Sequence, residues 1–318
     1  MRRFRGLLTL GLVVVLGLNG CGAPEPMPHR SAQPVPEPRP PGVVDPVTQT
    51  SAPAENPSCE DPRASLRPTG EWGPSLDRIR SRNRLVVGVD QNTYLFGFRG
   101  PDGQLAGFDV DLAREIAEDF FGDRNHIQFR ALTASQRVEA IRSGQVDMVV
   151  RMTTMTCERW QEMAFSTEYL TAGQSVLVPA GSPVESIDDL RGERVCAALG
   201  STSLSVLVEH PAGLIAVGAP SAVDCLVMLQ QGQVAAVSTD NTILAGFVAQ
   251  DPQVRVVGEP FTDEPYGIAM APDAEDLVRY VNGVLERLRA DGTWARLYDR
   301  WLAPHLGPAA PPQPRYRD

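Results

Sequence analysis

Hydroxyl, thiol and guanidinium groups are concentrated between residues 147 and 169, DMVVRMTTMTCERWQEMAFSTEY. A short apolar run at 148–150 gives way to Thr153, Thr154, Thr156 and Cys157, and Arg159 follows beside Trp160. A strand that ends in hydroxyls and amides, with an arginine one helical turn on, can hold a small carboxylate. Hydroxyls and amides bond directionally, and a guanidinium fork matches both carboxylate oxygens. Other polar groups also close apolar runs: Asp90 after 85–89, the turn Gly200-Ser201-Thr202, and Asp240 after 234–238. Arg159 and the amides of a helix start at Ser201–Thr202 suit an α-carboxylate. Asp240, the Thr154 hydroxyl and a strand-end carbonyl near Met152 suit an α-ammonium. Caps and turns are the plain alternative for each residue taken alone. Together they form a recognition kit for an amino-acid zwitterion. No nucleophile–base pair accompanies them, and PDGQLAG at 101–107 reads as a hairpin-like turn rather than a phosphate loop.

The elements that must position these groups alternate between strand and helix. LVVGV at 85–89 is a continuous apolar run of the kind buried on both faces. Val110, Ala113, Ile116, Ala117 and Phe120 recur at helical spacing, followed by a strand at 127–131 and a helix at 135–143 that Gly144 ends. Further strands are read at 173–178, 195–198, 215–217, 234–238 and 266–270, with helices through Leu207, at 222–230, and from Asp240 to Ala249. The amphipathic stretch 274–290 and a last helix carrying Trp294, Leu297, Tyr298 and Trp301 read as core. Such alternation implies α/β architecture with mostly parallel sheets, whose ligand sites lie beyond the carboxyl ends of the strands.

Bulk properties narrow the function classes. The 318 residues leave room for about two domains. The net charge of −10 argues against nucleic acid as a partner. His29, His126, His210 and His305 lie far apart, so a zinc site or a histidine-based triad is not expected, and no cofactor is implied.

Arg2, Arg3 and Arg5 precede an apolar run at 7–18 and then Asn19, Gly20 and Cys21, the layout of a secretory leader. The run is too short to span a bilayer. LNGC at 18–21 resembles a bacterial lipobox, so Cys21 is the expected lipidation site, anchoring the chain to the outer face of the membrane. Cys59, Cys157, Cys196 and Cys225 remain for an oxidising compartment. They allow three pairings. Cys196 with Cys225 is favoured because both fall in one α/β segment, which leaves Cys59 with Cys157. Residues 22–57 are proline-dense and read as a disordered or extended spacer, and the tail from Pro304 reads as frayed.

Taken together, LVVGVD (85–90), DGQLAGFDVDLAREIA (102–117), SGQVDMVV (143–150), TMTCERW (154–160), FSTEYLTAGQSVLV (165–178), GSTS (200–203) and GQVAAVSTDNTILAG (232–246) resemble the family 3 extracellular solute-binding proteins of polar amino-acid ABC importers. The chain is most similar to actinobacterial glutamate/glutamine-type members. The resemblance implies a two-lobe periplasmic-binding-protein-like (type II) α/β fold that closes on one amino acid. Its segments would be a leader at 1–20, a tether at 21–70, lobe 1 at 71–178 plus 262–303, lobe 2 at 179–261 and a tail at 304–318. The hinges would lie near Val178 and Phe261. By motif position, Arg159, Thr154 and the Met152 carbonyl correspond to the contacts from lobe 1, and Thr202 and Asp240 to those from lobe 2.

Departures from the family pattern concern the ligand's side chain. Ala198 stands where some glutamine binders have a lysine, and Ala134 where some have a stacking aromatic. Tyr94, Phe96 or Phe98 is a substitute ring. Arg151 replaces a small residue and either reaches a distal carboxylate, with Asp90, Gln91 or Asn92 orienting it, or lies on the surface. The expected role is delivery of glutamate, aspartate, glutamine or asparagine to an ABC permease. The alternatives are a subunit signalling to a membrane sensor and a dehydratase on the same fold.

Overall fold

A computed structural model describes residues 38–49 and 59–318. The leader at 1–20 and Cys21 lie outside the described residues. Two five-stranded sheets organise the chain. In the first, Leu85–Val89 lies between Ile127–Ala131 and Met148–Val149, all parallel, and Ala269–Met270 runs antiparallel between Met148–Val149 and Ala164–Phe165. In the second, Arg194–Ala198 lies between Ile215–Ala219 and Ala236–Asp240, again parallel, and Gln174–Pro179 runs antiparallel between Ala236–Asp240 and Val254–Val257. The expected α/β, two-lobe fold is therefore present. In each lobe the antiparallel strand joins the sheet on the side where the chain crosses over.

Apolar runs become central strands because helices cover both faces. All of Leu85–Val89 is buried. The helix Phe108–Phe121 packs Val110, Ala113, Ile116 and Ala117 inward, and Glu275–Ala290 packs Leu277, Val281, Val284 and Leu288. Trp294 is 1% exposed, and its indole donates to the Tyr169 carbonyl at 2.7 Å, so it is core as expected. Burying such a ring beside a satisfied donor contributes about 2–3 kcal/mol. Both disulfides form in the favoured pairing, Cys59–Cys157 and Cys196–Cys225.

Three expectations are corrected. The first crossing lies at Gly173 rather than near Val178, because Val178 pairs with Arg255 inside the second sheet. The crossings are clamped by Leu170–Ala172 running antiparallel to Glu264–Tyr266. A Cβ on Gly173 would stand 2.6 Å from the Thr262 carbonyl oxygen, so the second crossing can press against the first only because residue 173 has no side chain.

The tail is not frayed. Arg315–Tyr316 pairs with Ala64–Ser65, the Arg317 amide donates to Ser65 O, and Arg279 meets the Asp318 carboxylate at 2.7 Å.

Nor is all of 21–70 a free tether. Val44 and Gly218 exchange backbone hydrogen bonds of 2.8 and 2.9 Å, and the Val47 amide donates to Ala216 O, covering the outer edge of Ile215–Ala219. Proline-rich chain cannot build a core, but in extended form it offers backbone groups that an exposed sheet edge needs. Pro74–Arg82 is a helix that the sequence reading missed, started by proline and buried through Leu76 and Ile79.

Candidate functional site

Three parallel strands of each lobe carry their carboxyl ends toward a common cleft. The turn after Met148–Val149 is fixed along its length. Met155 N–H donates to Pro265 O at 2.8 Å, and Gly267 N–H donates to Thr153 O at 3.0 Å. Met152 sits in the left-handed region at φ 40°. A non-glycine residue stays there only when its surroundings hold it. Here the Asp109 carboxylate does so, accepting from Met152 N–H at 3.0 Å and from the Tyr169 hydroxyl at 2.9 Å. Burial pushes Asp109 up to about 7, against the Tyr169 and Met152 hydrogen bonds that lower it.

Seven of the eight site residues named from the sequence line one small cavity: Arg151, Met152, Thr154, Arg159, Ser201, Thr202 and Asp240. The cavity is about 40 Å³, and Arg137, Thr154, Arg159, Ser201 and Thr202 also line an adjoining cavity of about 780 Å³. The eighth, Asp90, lies behind the wall. Its Oδ2 takes Arg151 Nη2 at 2.5 Å, and its Oδ1 accepts from Asn92 N–H at 2.8 Å. Arg151 is only 8% exposed and also donates from Nε to Leu132 O at 2.8 Å, which rules out the surface alternative.

Arg159 donates to the carbonyls of Thr154 at 2.8 Å and Gly200 at 3.2 Å. Burial lowers its pKa, opposed by the charges of Glu264 and Asp240. Ser201 caps the helix Thr202–Glu209 through Leu204 N–H, and its own amide donates to Ala198 O, so both groups serve the turn. Thr202 Oγ1 lies 3.5 Å from Thr154 Oγ1 on the opposite lobe. Asp240 does not cap the helix that follows it. Its carboxyl accepts from the Tyr266 hydroxyl and is pushed up to about 7, by burial first and then by the negative charge of Glu264.

Some orienting groups proposed from the sequence face elsewhere. The Gln91 amide oxygen is taken by Arg99, Asn92 is exposed, and Tyr94, Phe96 and Phe98 pack on other rings. Among the described residues lining the cavity none is aromatic; Ala134 and Ala198 do line it.

Arg137, Glu264, Tyr266 and Asp109 were missed. Arg137 offered a signal: it shares a helical face with Ala140 and Ile141, a core position for an arginine. Cys157 is bonded to Cys59, and the Trp160 indole donates to Pro62 O, so neither does chemistry. Among the described residues no group of three or more His, Cys, Asp or Glu side chains could hold a metal ion.

The sequence matches a known family over most of the chain. Residues 85–304 fit the model for bacterial extracellular solute-binding proteins, family 3. The chain belongs to that family. Among its relatives, the ABC transporter glutamine-binding protein GlnH of Bacillus subtilis is 36% identical over 230 residues, covering 72% of this chain and 84% of the relative. The glutamate-binding protein GluB of Corynebacterium glutamicum is 34% identical over 223 residues, covering 66% and 76%. Among solved structures, the ancestral amino-acid-binding protein AncCDT-1, a precursor of cyclohexadienyl dehydratase, superposes with a TM-score of 0.67 at 31% identity, covering 72% of this chain and 99% of that one. The family acts outside the cytoplasm, and solute binding is this chain's activity.

Proposed function

We propose that the cleft binds a polar α-amino acid, glutamate or aspartate ahead of glutamine or asparagine, and that the protein delivers it to an ABC importer. The observation that carries this reading is the arrival of Arg159 and Asp240 from opposite lobes on one cavity. An α-carboxylate between Arg159 and the Thr202 amide at the helix start, with an α-ammonium between Asp240, the Thr154 hydroxyl and the Met152 carbonyl, bridges the lobes. The bridging ligand then favours the closed form by contacts that only that form offers. Arg151 supports the acidic preference. Asp90 and Leu132 engage two of its nitrogens, and the guanidinium remains part of the cavity wall, a donor-only surface for a distal carboxylate.

Calorimetric titration of glutamate, aspartate, glutamine and asparagine into wild type and Arg151→Ala tests this. Loss of the acidic preference in the variant is expected, and an unchanged preference for glutamate overturns the role of Arg151. The GlnH and GluB relatives support delivery to an importer. The alternative is a subunit signalling to a membrane partner, and intact uptake in a deletion strain would favour it.

An enzyme reading has one observation behind it: a carboxyl pushed up to about 7 lines the cavity, as a general acid would require. That carboxyl, Asp240, is held by Tyr266 and faced by Arg159, which suits an ammonium counter-ion better. Recovering the bound molecule unchanged after long incubation distinguishes the two. Anchoring through Cys21 is proposed on the lipobox resemblance, and Cys21→Ala is expected to release the protein from the membrane fraction.

A further inference from the structure

The strand that returns from the second lobe does more than connect. Glu264–Tyr266 pairs with Leu170–Ala172, so it lies where the two crossings meet. Residues two apart on a strand point the same way. On this strand they are Glu264 and Tyr266, and each holds one residue of the second lobe's cradle. Glu264 Oε2 accepts from the Thr202 hydroxyl at 2.9 Å, and the Tyr266 hydroxyl donates to Asp240. Glu264 Oε1 accepts from Thr262 Oγ1 at 2.9 Å, and that oxygen accepts from Gln174 N–H at 2.9 Å. The carboxyl, only 3% exposed, is thereby tied to both crossings.

We propose that Glu264 is a positioning residue of the ligand site, acting through Thr202 and Asp240. The inference rests on the amino-acid reading above for its consequence in binding, but its structural content does not. A hydroxyl has one proton to give. Thr202 commits its proton to Glu264, so Thr154 is the donor in the Thr154–Thr202 contact.

Glu264 also sets a second negative charge beside Asp240. The groups facing Asp240 are Tyr266 and Glu264 from the return strand, Arg159 and Arg137 from the first lobe, and Ser203 from its own lobe. Tyr266, Arg159 and Ser203 favour the ionised form, while burial and Glu264 oppose it. An ammonium needs Asp240 ionised. Below about pH 7 the ligand must therefore expel a proton from Asp240 as it binds, a requirement that burial sets first and Glu264 extends further toward neutral pH.

Carboxyl-labelled NMR of aspartate in the ligand-free protein reads Asp240 directly, with Asp240→Asn assigning its signal. Wild type is expected to titrate near 7, Glu264→Gln about one pH unit lower, and Glu264→Asp close to wild type. An ordinary carboxylate midpoint in wild type overturns the proposal. So does an unchanged midpoint in Glu264→Gln, or an equal fall in Glu264→Asp, which would mean loosened packing rather than charge. Glutamate titrations are expected to show Glu264→Gln binding roughly five- to tenfold tighter than wild type at pH 5.5, with a smaller difference at pH 8. If glutamate fails to bind wild type while the NMR shift is present, the ligand assignment falls and the role of Glu264 stands.

Discussion

Arg137 Nη2 donates to the Gly200 carbonyl at 2.9 Å across the cleft. Nη1 and Nε of the same guanidinium are held by Thr153 and Ala134 on its own lobe, at 3.1 and 2.8 Å. Gly200 adopts φ +77°, and a Cβ there would stand 2.8 Å from Ser135 Cα, so the lobes meet backbone against backbone at this point. Arg159 reaches the same carbonyl, giving the turn two cationic donors from the opposite lobe. Burial holds the Arg137 pKa well below its usual value, with the neighbouring charge of Arg159 adding to the effect.

Removing this latch should open the protein. Arg137→Met is expected to weaken closure by about 1.5–3 kcal/mol, the range for a hydrogen bond to a charged group. Small-angle scattering of the ligand-free variant should give a larger radius of gyration than wild type. An unchanged radius would show that other contacts suffice.

The Asp240 carboxylate should matter more to binding than to folding. Asp240→Asn keeps the shape and the Tyr266 contact but removes the counter-charge of an ammonium. Truncating one partner of a buried charged pair costs about 2–5 kcal/mol. A loss of affinity on the order of 100-fold is expected by calorimetry, with little change in melting temperature.

Asp109 should make stability depend on pH. Its folded pKa, about 7, lies above the ordinary carboxylate value. The folded state therefore binds the proton more tightly than the unfolded chain does. The resulting stabilisation is complete below about pH 4 and is lost as pH rises through 7. Arg151 and Asp90 are the charged groups acting on it, the first lowering and the second raising its pKa. Melting temperatures of wild type should fall between pH 5 and 8, and Asp109→Asn should flatten that slope. Equal slopes would reassign the effect to other groups.

Cys196 and Cys225 are both fully buried, and their bridge ties a central strand of the second sheet to the helix Ala222–Gln230. Replacing both with alanine should cost about 3–4 kcal/mol. Urea titration followed by a probe in that lobe would detect it. An unchanged midpoint would mean that packing alone fixes the helix.

Much of the fold was legible because its signals are local. LVVGV reads as a buried strand wherever it occurs, and Val110, Ala113 and Ile116 share a face in any helix. Reading failed where the partner of a segment is distant in sequence. Proline spacing around Val44 and in the last residues reports the lack of apolar side chains, not the presence of an open sheet edge at Ile215–Ala219 or of a strand at Ala64–Ser65. The boundary near Val178 was missed for the same reason: a continuous apolar strand carries no mark of which sheet it joins.

By itself the sequence determined which residue types stand at the strand ends, because hydrophobic period and turn chemistry are properties of neighbouring residues. Thr154, Arg159, Thr202 and Asp240 could be named in that way, and Arg151 as a departure from the pattern of the family that the chain resembles. Only the tertiary structure decided what each of them faces. The Arg159 turn presents as half of a clamp because Gly200 meets Arg137 across the cleft. Arg151 became part of the cavity wall because Asp90 and Leu132 hold it there. Glu264 and Tyr266 lie far from Thr202 in sequence, and only the pairing of the two crossing strands brings them against it.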